Sequence, residues 1–378
     1  MFSKKDPKRN QCMLTGSFKK KGYDWWWHSF TAINKRIGEE KAFFAEFFLI
    51  NPKLGKDLPI FGQLKENKEK GIRPSYLMVK AGCWGKDARQ IHRFFGWNNV
   101  SVDMGVPFAV KADDCYLDNE TIKLNVSVSE EEKQKHPEWM SDAGSISMDL
   151  KAEKLIAYNV GYGASAIFRA LKAYEMYWHA EGIKTLYSGT VYLDGEEYIV
   201  NRDTSYGYQD KNWGTNFTTP WVWLSSNNLV SNITLKKLEN SAFEIGGGKP
   251  KVFGISLDRK LLGGMYYEGK CMEFNFSKFW TGSKTEFNCG IEDGKMKWHV
   301  IQQTRKYIME TDVSCDISDM LLVNYEDPLG MKKHNNLYNG GTGVGRILLY
   351  KKKGKSKILI DDITATHIGC EYGEFDKE

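Results

Sequence analysis

The sequence predicts an all-β protein with two domains, and three observations support this prediction. Aromatic residues make up 13% of the 378 residues, and large rings suit sheet surfaces and the walls of apolar pockets. Short alternating segments separated by Gly, Asn and Asp run through most of the chain. The Asp194-Gly195 and Asp293-Gly294 steps are typical of tight hairpin turns, and strands at hairpin spacing favour sandwiches or barrels.

The expected strands follow one another with few interruptions. They are residues 41–52, 121–130, 144–153, 184–203, 251–258, 270–276, 295–304, 345–352 and 356–373. Residues 53–75 are polar and rich in turn formers, which predicts a loop or flap over the first domain.

One segment near the middle of the chain departs from the strand pattern. Residues 159–182 begin with small residues and place Ile167, Leu171 and Tyr174 at helical spacing, which predicts a short helix. We therefore expect an N-terminal β domain over 1–157, a helical joint over 158–182 and a C-terminal β domain over 183–378. The run Asp-Lys-Asn-Trp-Gly (210–214) would belong to the C-terminal domain.

Composition argues against several classes of protein. Lys and Arg number 53 against 48 Asp and Glu, a net charge of +5 that is too small and too dispersed for a nucleic-acid binder. The seven cysteines form no Cys-x-x-Cys pair, which favours a reducing, cytoplasmic location. No stretch approaches the roughly 18 apolar residues that would cross a bilayer, so we expect no integral membrane segment, although an oily substrate could bring the protein to a membrane surface.

Several familiar site motifs are absent from the sequence. The His residues show no His-Glu-x-x-His spacing, so no metal site is expected. No Gly-x-Ser-x-Gly esterase motif occurs. The glycine run 341–345 precedes a strand rather than a helix, which predicts a hairpin connection and not a dinucleotide loop.

Three ionisable residues lie among aromatic residues in the sequence, and each allows two interpretations of its environment. His28 and His179 adjoin Trp and are either buried histidines held by hydrogen bonds or proton donors that face a cavity. Glu46 lies in a run of Phe, and strand alternation predicts that it points outward rather than into a dry interior.

The stretch 205–228 combines an acid, a base and several large rings. Taken singly, each ring could belong to a core, and Asp210 with Lys211 could form a surface ion pair. Their order, however, is similar to the signature of the tocopherol cyclase family, in which an acidic residue precedes Lys-Asn-Trp-Gly and then come Trp-x-Trp and Asn. The matching residues are Asp210, Lys211, Asn212, Trp213, Gly214, Trp221, Trp223 and Asn227. The likeness is greatest over 174–228 and weakest before 150, where 18–30 resembles an early acidic and aromatic strand of the family. Thr218 stands where the family usually has Pro.

The resemblance implies two lipocalin-like β-barrel or sandwich domains that enclose a hydrophobic ligand. It also implies a cyclase or isomerase that needs no cofactor, protonates a prenyl double bond and lets a phenol oxygen capture the cation. Asp210 would be the acid; if Lys211 closed a salt bridge with it, His28 or His179 would take that role. The expected substrate-binding residues are Trp26, Trp27, Trp178, Tyr206, Asn212, Trp213, Trp221 and Trp223. The alternative function is a non-catalytic carrier of a lipophilic ligand in the same cavity.

Overall fold

The computed structural model describes residues 6–55, 64–158, 170–331 and 333–374. Within these ranges, strands dominate, which confirms the all-β prediction. A first sheet contains 12 strands in the described part of the chain. They are β1 (Tyr23–Asn34), β2 (Glu40–Ile50), β3 (Tyr76–Trp84), β4 (Arg89–Phe95), β5 (Ser101–Asp103), β6 (Ala109–Ala112), β7 (Cys115–Asp118), β8 (Thr121–Val128), β9 (Gly144–Tyr158), β10 (Met176–Leu193), β11 (Glu196–Val200) and β12 (Gly207–Gly214).

A second sheet contains 11 strands among the described residues, and a two-stranded hairpin accompanies it. The second sheet is formed by β13 (Trp221–Ser226), β14 (Asn228–Ser231), β15 (Ala242–Gly248), β18 (Lys260–Tyr267), β19 (Lys270–Phe274), β20 (Lys284–Glu292), β21 (Lys295–Gln303), β22 (Tyr307–Asp316), β23 (Leu321–Glu326), β24 (Lys333–Lys353) and β25 (Ser356–Gly373). The hairpin is β16 (Lys251–Val252) with β17 (Ile255–Ser256).

The helices are short. They are α1 (Asp6–Arg9), α2 (Phe18–Lys21), α3 (Lys65–Glu69) and α4 (Glu130–Lys135), with 3-10 turns at Pro52–Leu54, Trp97–Asn99, Pro137–Trp139, Phe279–Thr281 and Ile317–Asp319. The capping box of Ser129 and Glu132 fixes the start of α4. Residues 53–75, expected to form a loop, contain the end of one 3-10 turn and α3, while 56–63 lie outside the described residues.

Each large sheet curls around its own apolar core. In the first sheet, β3 and β4 come to lie against β8, and one buried cluster unites side chains from β1 through β11. In the second sheet, β18 approaches β20, and the strands from β13 to β25 share another cluster. Alternation explains these cores, because β8 buries every second residue from Ile122 onward and leaves the others in water.

A third core joins the two sheets and consists mainly of aromatic rings. On β1, Trp26 and Phe30 face the first core, whereas Trp25 and Trp27 face the second sheet. Both faces of β1 are therefore buried. β2 is buried in the same way along most of its length, which is why its sequence is apolar without alternation.

Glycines of the second sheet provide room for large rings at this interface. A Cβ on Gly246 would lie 2.9 Å from the Trp178 ring, and one on Gly369 would lie 2.2 Å from the Trp223 ring. A Cβ on Gly341 would lie equally close to the Trp84 ring, at 2.2 Å. The run 341–345 is part of β24, so the predicted hairpin connection is wrong: the run pairs as a strand, and Gly341 leaves room for a ring of the other sheet.

The region expected to be a helical joint contains a strand. Residues 176–182 belong to β10, which pairs with β12 and β9. The helix prediction is wrong there because this stretch has strand partners on both edges. Residues 159–169 lie outside the described residues. The run 210–214 forms β12 of the first sheet, paired with β1 and β10, and not a strand of the second sheet as expected. The limits of the domains stay a prediction.

The fit between Gly369 and Trp223 generates a stability prediction. Gly369→Ala should lower the free energy of unfolding by about 1 to 3 kcal/mol, because the added methyl forces the buried indole to shift. Gly290→Ala on β20 is the matched control, since its methyl would meet nothing within 4 Å, and we expect a change within about 0.5 kcal/mol. Urea denaturation measures both; equal stability of the two variants would contradict the prediction.

Candidate active site

The motif strand β12 lies between β1 and β10 and is buried at every position. Successive side chains of a strand point to opposite faces. Tyr208, Asp210 and Asn212 therefore share the face that meets the second sheet, whereas Lys211 and Trp213 lie on the face of the first core. This alternation separates the acid from its neighbouring base.

Asp210 is held by two hydrogen-bond donors. Trp178 Nε1 donates to Asp210 Oδ2 over 2.6 Å, and the Tyr208 hydroxyl lies 3.0 Å from the same oxygen. Asp210 Oδ1 is buried without a hydrogen-bond partner among the described residues. Burial raises the pKa of Asp210 well above its ordinary range, and this effect outweighs the two hydrogen bonds, which lower it. Burial thus favours the protonated, neutral form of this carboxyl group.

Tyr208 connects Asp210 to a second buried acid from the other sheet, Glu244 on β15. Its hydroxyl makes a short hydrogen bond to Glu244 Oε1 and accepts one from Trp223 Nε1 over 3.1 Å. A phenol has one proton to donate. Both carboxyl contacts can be hydrogen bonds only if one of the two acids is protonated and donates to the phenol oxygen. Burial also raises the pKa of Glu244 well above its usual range.

A third buried acid, Glu371 on β25, stands at the same interface. Trp221 Nε1 donates to Glu371 Oε2 over 2.5 Å, and the Asn339 amide donates to Oε1. Burial raises the pKa of Glu371 to about 7, although these two donors lower it. The charge of Glu371 in turn raises the pKa of Asp210, so the acids oppose each other's ionisation.

A buried ion pair continues the polar row across the first sheet. Register pairing places Asp210, Trp27, Glu46 and Lys80 side by side on β12, β1, β2 and β3. Lys80 Nζ lies 3.1 Å from Glu46 Oε2, both side chains are fully buried, and the Tyr325 hydroxyl of β23 approaches the same oxygen at 3.3 Å. The expectation that Glu46 points to solvent is wrong, because the second sheet covers the outer face of β2.

Lys211 does not pair with Asp210. Its Nζ lies 2.6 Å from Asp24 Oδ1 inside the first core, above the Trp26 ring at 4.4 Å and the Trp213 ring at 5.3 Å. Burial raises the pKa of Asp24 to about 6 against the lowering effect of Lys211. The predicted binding residues Trp26 and Trp213 thus surround this ion pair and not the acids of the interface.

The structure separates the two candidate histidines from Asp210. His28 lies in the first core, where its Nδ1 is 3.0 Å from the Tyr187 hydroxyl, and burial lowers the pKa of His28 well below its usual range. His179 pairs in register with Lys211, on the same face, and is fully buried. The sheet therefore stands between both imidazoles and the acidic face.

The remaining predicted residues have distinct positions. Trp27, Trp178, Trp221 and Trp223 belong to the aromatic core between the sheets, as expected for a shared site. Asn212 accepts a hydrogen bond from the Tyr23 hydroxyl over 3.3 Å. Tyr206, in contrast, stacks on His367 at 4.2 Å between ring centres and is partly exposed.

Sequence reasoning missed the roles of Glu244 and Glu371 at this site. Each glutamate interrupts an apolar strand, in Ala242–Gly248 and in the end of Ser356–Gly373, and a charge in such a strand is the available signal. The signal gives no partner, since Glu244 and Glu371 are far from Asp210 in sequence. The same ambiguity affected Glu46.

A pocket of about 350 Å³ opens beside the acids. Its aromatic wall includes Trp178 and Trp221, whose Nε1 groups hold Asp210 and Glu371 on the side away from the pocket. Gly246, Gly247 and Gly248 line it as well. Asp210 is not among the lining residues, so the Trp178 indole separates its carboxyl group from the pocket.

Two searches of the described residues gave negative findings. Over 6–55, 64–158, 170–331 and 333–374, no three His, Cys, Asp or Glu side chains are grouped so that they could hold a metal ion. No helix in this part of the chain has the length and apolar character to cross a membrane.

The fold and the site together define an all-β protein with a protonatable acidic cluster and an aromatic pocket at the junction of two curled sheets. The chain belongs to the tocopherol cyclase-like family, whose model matches residues 152–374. The match includes the motif strand β12, Glu244 and Glu371. The resemblance predicted from the motif is therefore confirmed.

Three solved structures resemble the chain along most of its length. A Nitrosomonas europaea protein provisionally named AttH has 10% identity and a TM-score of 0.49, covering 96% of this chain and 94% of its own. Kievitone hydratase from Nectria haematococca has 11% identity and a TM-score of 0.48, covering 96% and 92%. CghA, solved with Sch210972, has 9% identity and a TM-score of 0.46, covering 95% and 90%. These values are too low to inform the function of this chain. No curated protein sequence matches it.

The raised pKa of Glu371 generates a pH prediction. Folding moves this pKa from 4.5 to about 7, so between these values the native state keeps a proton that the unfolded chain releases. The free energy of unfolding should therefore fall as pH rises from 4.5 to 7, by roughly 3 kcal/mol from this group. Glu371→Gln should remove that part of the fall in urea denaturation at pH 4.5 and 7.5.

A control separates this group from the general effect of pH. Glu286→Gln changes an exposed glutamate on β20 and should leave the pH dependence as in the wild type. If Glu371→Gln also left it unchanged, the pKa of Glu371 would be the same in the folded and unfolded states.

Proposed function

We propose that the protein is a cofactor-independent cyclase or isomerase that starts ring closure by protonating a hydrophobic, prenylated or polyene substrate. The observation that carries the proposal is the cluster of Asp210, Tyr208 and Glu244, whose hydrogen bonds require a proton on one of the two carboxyl groups. Membership of the tocopherol cyclase-like family supports the same chemistry.

Asp210 would be the proton donor. Its carboxyl proton moves to one carbon of a substrate double bond, and the other carbon becomes a cation. A nucleophilic oxygen of the same substrate attacks this cation and closes the ring. That oxygen then returns its proton to Asp210, so the product is an isomer of the substrate. Tyr208 stabilises the intermediate carboxylate by a hydrogen bond from its hydroxyl.

The aromatic core would stabilise the cation and exclude water. A cation near the face of an indole gains about 0.5 to 2 kcal/mol, and Trp178, Trp223 and Trp27 surround Asp210. Water would compete with the substrate oxygen for the cation, so a dry site favours cyclisation over hydration.

The pocket would hold the body of the substrate. To reach Asp210, the reactive end has to displace the Trp178 indole, because this ring lies between the pocket and the carboxyl group. Trp178 would then act as a gate that donates to Asp210 only while the gate is closed. Gly246, against which the ring packs, limits the positions that the ring can take.

The position of Trp178 also favours a second candidate function. If the indole never moves, the ligand stays in the pocket behind a fixed aromatic wall and Asp210 only anchors that wall. The protein would then be a non-catalytic carrier of a lipophilic ligand. The two candidates differ in whether the acid affects turnover or the rings alone affect binding.

Asp210→Asn distinguishes the two candidates. The amide keeps the size of the side chain and acceptor for Trp178 but has no acidic proton, so turnover of a prenyl-quinol panel should fall at least about 100-fold while the Kd changes less than about threefold. Turnover is measured by chromatography with mass detection as an isomer of unchanged mass, and binding by quenching of protein fluorescence.

Two further variants make this result interpretable. Asp312→Asn removes an exposed carboxyl group on β22 and should keep full turnover. Trp178→Ala should weaken binding in both candidate functions, since it removes part of the pocket wall. The carrier function would be established if the wild type bound the ligand without forming any product and Asp210→Asn bound it with the same affinity.

A further inference from the structure

The mouth of the pocket carries exposed apolar side chains. Among its lining residues, Thr219, Lys249 and Ser256 are exposed and mark where it opens to solvent. Ser256 pairs with Lys251 in the β16–β17 hairpin, which therefore forms one rim of the pocket. At the tip of this hairpin, Phe253 is 59% exposed and Ile255 is 69% exposed.

A second apolar protrusion adjoins the same pocket. Phe276 and Ser277 line it, and the 3-10 turn that begins two residues later presents Phe279 and Trp280. These two rings are 82% and 56% exposed and contact each other edge to face at 5.2 Å between centres. An indole exposed to solvent is unusual, because Trp side chains usually bury their large apolar area in a core or an interface.

Basic residues accompany these apolar tips. Residues 249–260, which include the hairpin, carry Lys249, Lys251, Arg259 and Lys260 against the single acid Asp258. Lys249 is exposed, whereas Lys251 lies 3.6 Å from Glu175 across the pocket rim. A surface with protruding aromatic rings, an excess of positive charge and no bulk apolar face is suited to the interface of an anionic bilayer, where rings enter the headgroup region and lysines meet lipid phosphates.

We propose that this rim is a docking surface for an anionic lipid bilayer, with Phe253, Ile255, Phe279 and Trp280 inserted at the headgroup level. The charge favours lipid over a second copy of the chain, because two such rims would bring like charges together. Docking would place the mouth of the pocket against the membrane, so that a lipophilic ligand passes between bilayer and pocket without crossing water. The surface serves a carrier as well as an enzyme, so this inference does not depend on catalysis.

Sedimentation with vesicles tests the docking surface in the absence of any substrate. The wild type should bind vesicles of phosphatidylcholine with 30% phosphatidylserine at least about tenfold more strongly than vesicles of phosphatidylcholine alone, and 0.5 M salt should reduce the difference. The variant Phe253→Ser/Ile255→Ser/Phe279→Ser/Trp280→Ser should lose at least about tenfold in partition to the anionic vesicles.

A matched control lies on another exposed turn. Ile233 and Leu235 are 57% and 82% exposed and lie in the turn that follows β14. They also have basic neighbours, Lys236 and Lys237. Ile233→Ser/Leu235→Ser should bind vesicles as the wild type does. Equal losses in the two variants, or no vesicle binding by the wild type, would overturn the proposal.

Two more readouts identify the occupant. Lipids with brominated chains should quench the fluorescence of the wild type more than that of Trp280→Phe. Such a difference requires that the Trp280 ring enters the bilayer, because electrostatic attraction alone would not bring the ring near the brominated chains. Light scattering that showed a dimer in the wild type and a monomer in the four-site variant would assign the rim to a second copy instead. Turnover of detergent-dispersed substrate is measured separately, so failure of docking and failure of catalysis give different results.

Discussion

The second sheet covers the outer face of β1, β2 and β12, and the chemistry of the site depends on this burial. On a solvated sheet face, Asp210 and Glu46 would be ordinary ionised carboxylates. Covered by a second sheet, each must share a proton, meet a cation or stay protonated, because an isolated buried charge is too costly. All three arrangements occur here. Tyr208 shares a hydrogen bond with Asp210, Lys80 forms an ion pair with Glu46, and the pKa of Asp210 is raised.

The two faces of β12 carry two different kinds of buried ionic group. Toward the first core, Lys211 and Asp24 neutralise each other between indole rings, which stabilises the attachment of the N-terminal segment through the Gln11 carbonyl. Toward the second sheet, Asp210 forms no ion pair among the described residues, and its hydrogen bonds are to the neutral side chains of Trp178 and Tyr208. A buried carboxyl group with a raised pKa and no ion-pair partner is typical of sites that transfer protons. In the proposed function, β12 would carry a structural ion pair on one face and the proton donor on the other.

The sequence determined the all-β class, the family and fewer than half of the strands. These depend on local pattern: alternation, Asp-Gly turns and the order of residues in 210–227 act within a few positions of one another. The same locality explains the errors. Residues 176–182 follow the helical spacing of Ile167, Leu171 and Tyr174 but are strand, because β9 and β12 offer partners on both edges. The glycine-rich run 341–345 suggests a turn but is also strand, and its Gly341 leaves room for the Trp84 ring.

The sequence also identified Asp210 and the four Trp residues that surround the acids, but only the tertiary structure decided which groups act on them. Whether Asp210 is paired with Lys211 depends on which face of β12 each residue occupies and on what covers that face. Glu244 and Glu371 come from strands of the other sheet, and no spacing in the sequence connects them to Asp210. A pKa is set by burial and by charges within a few ångströms, whatever their distance along the chain, and that proximity exists only after the two sheets have packed.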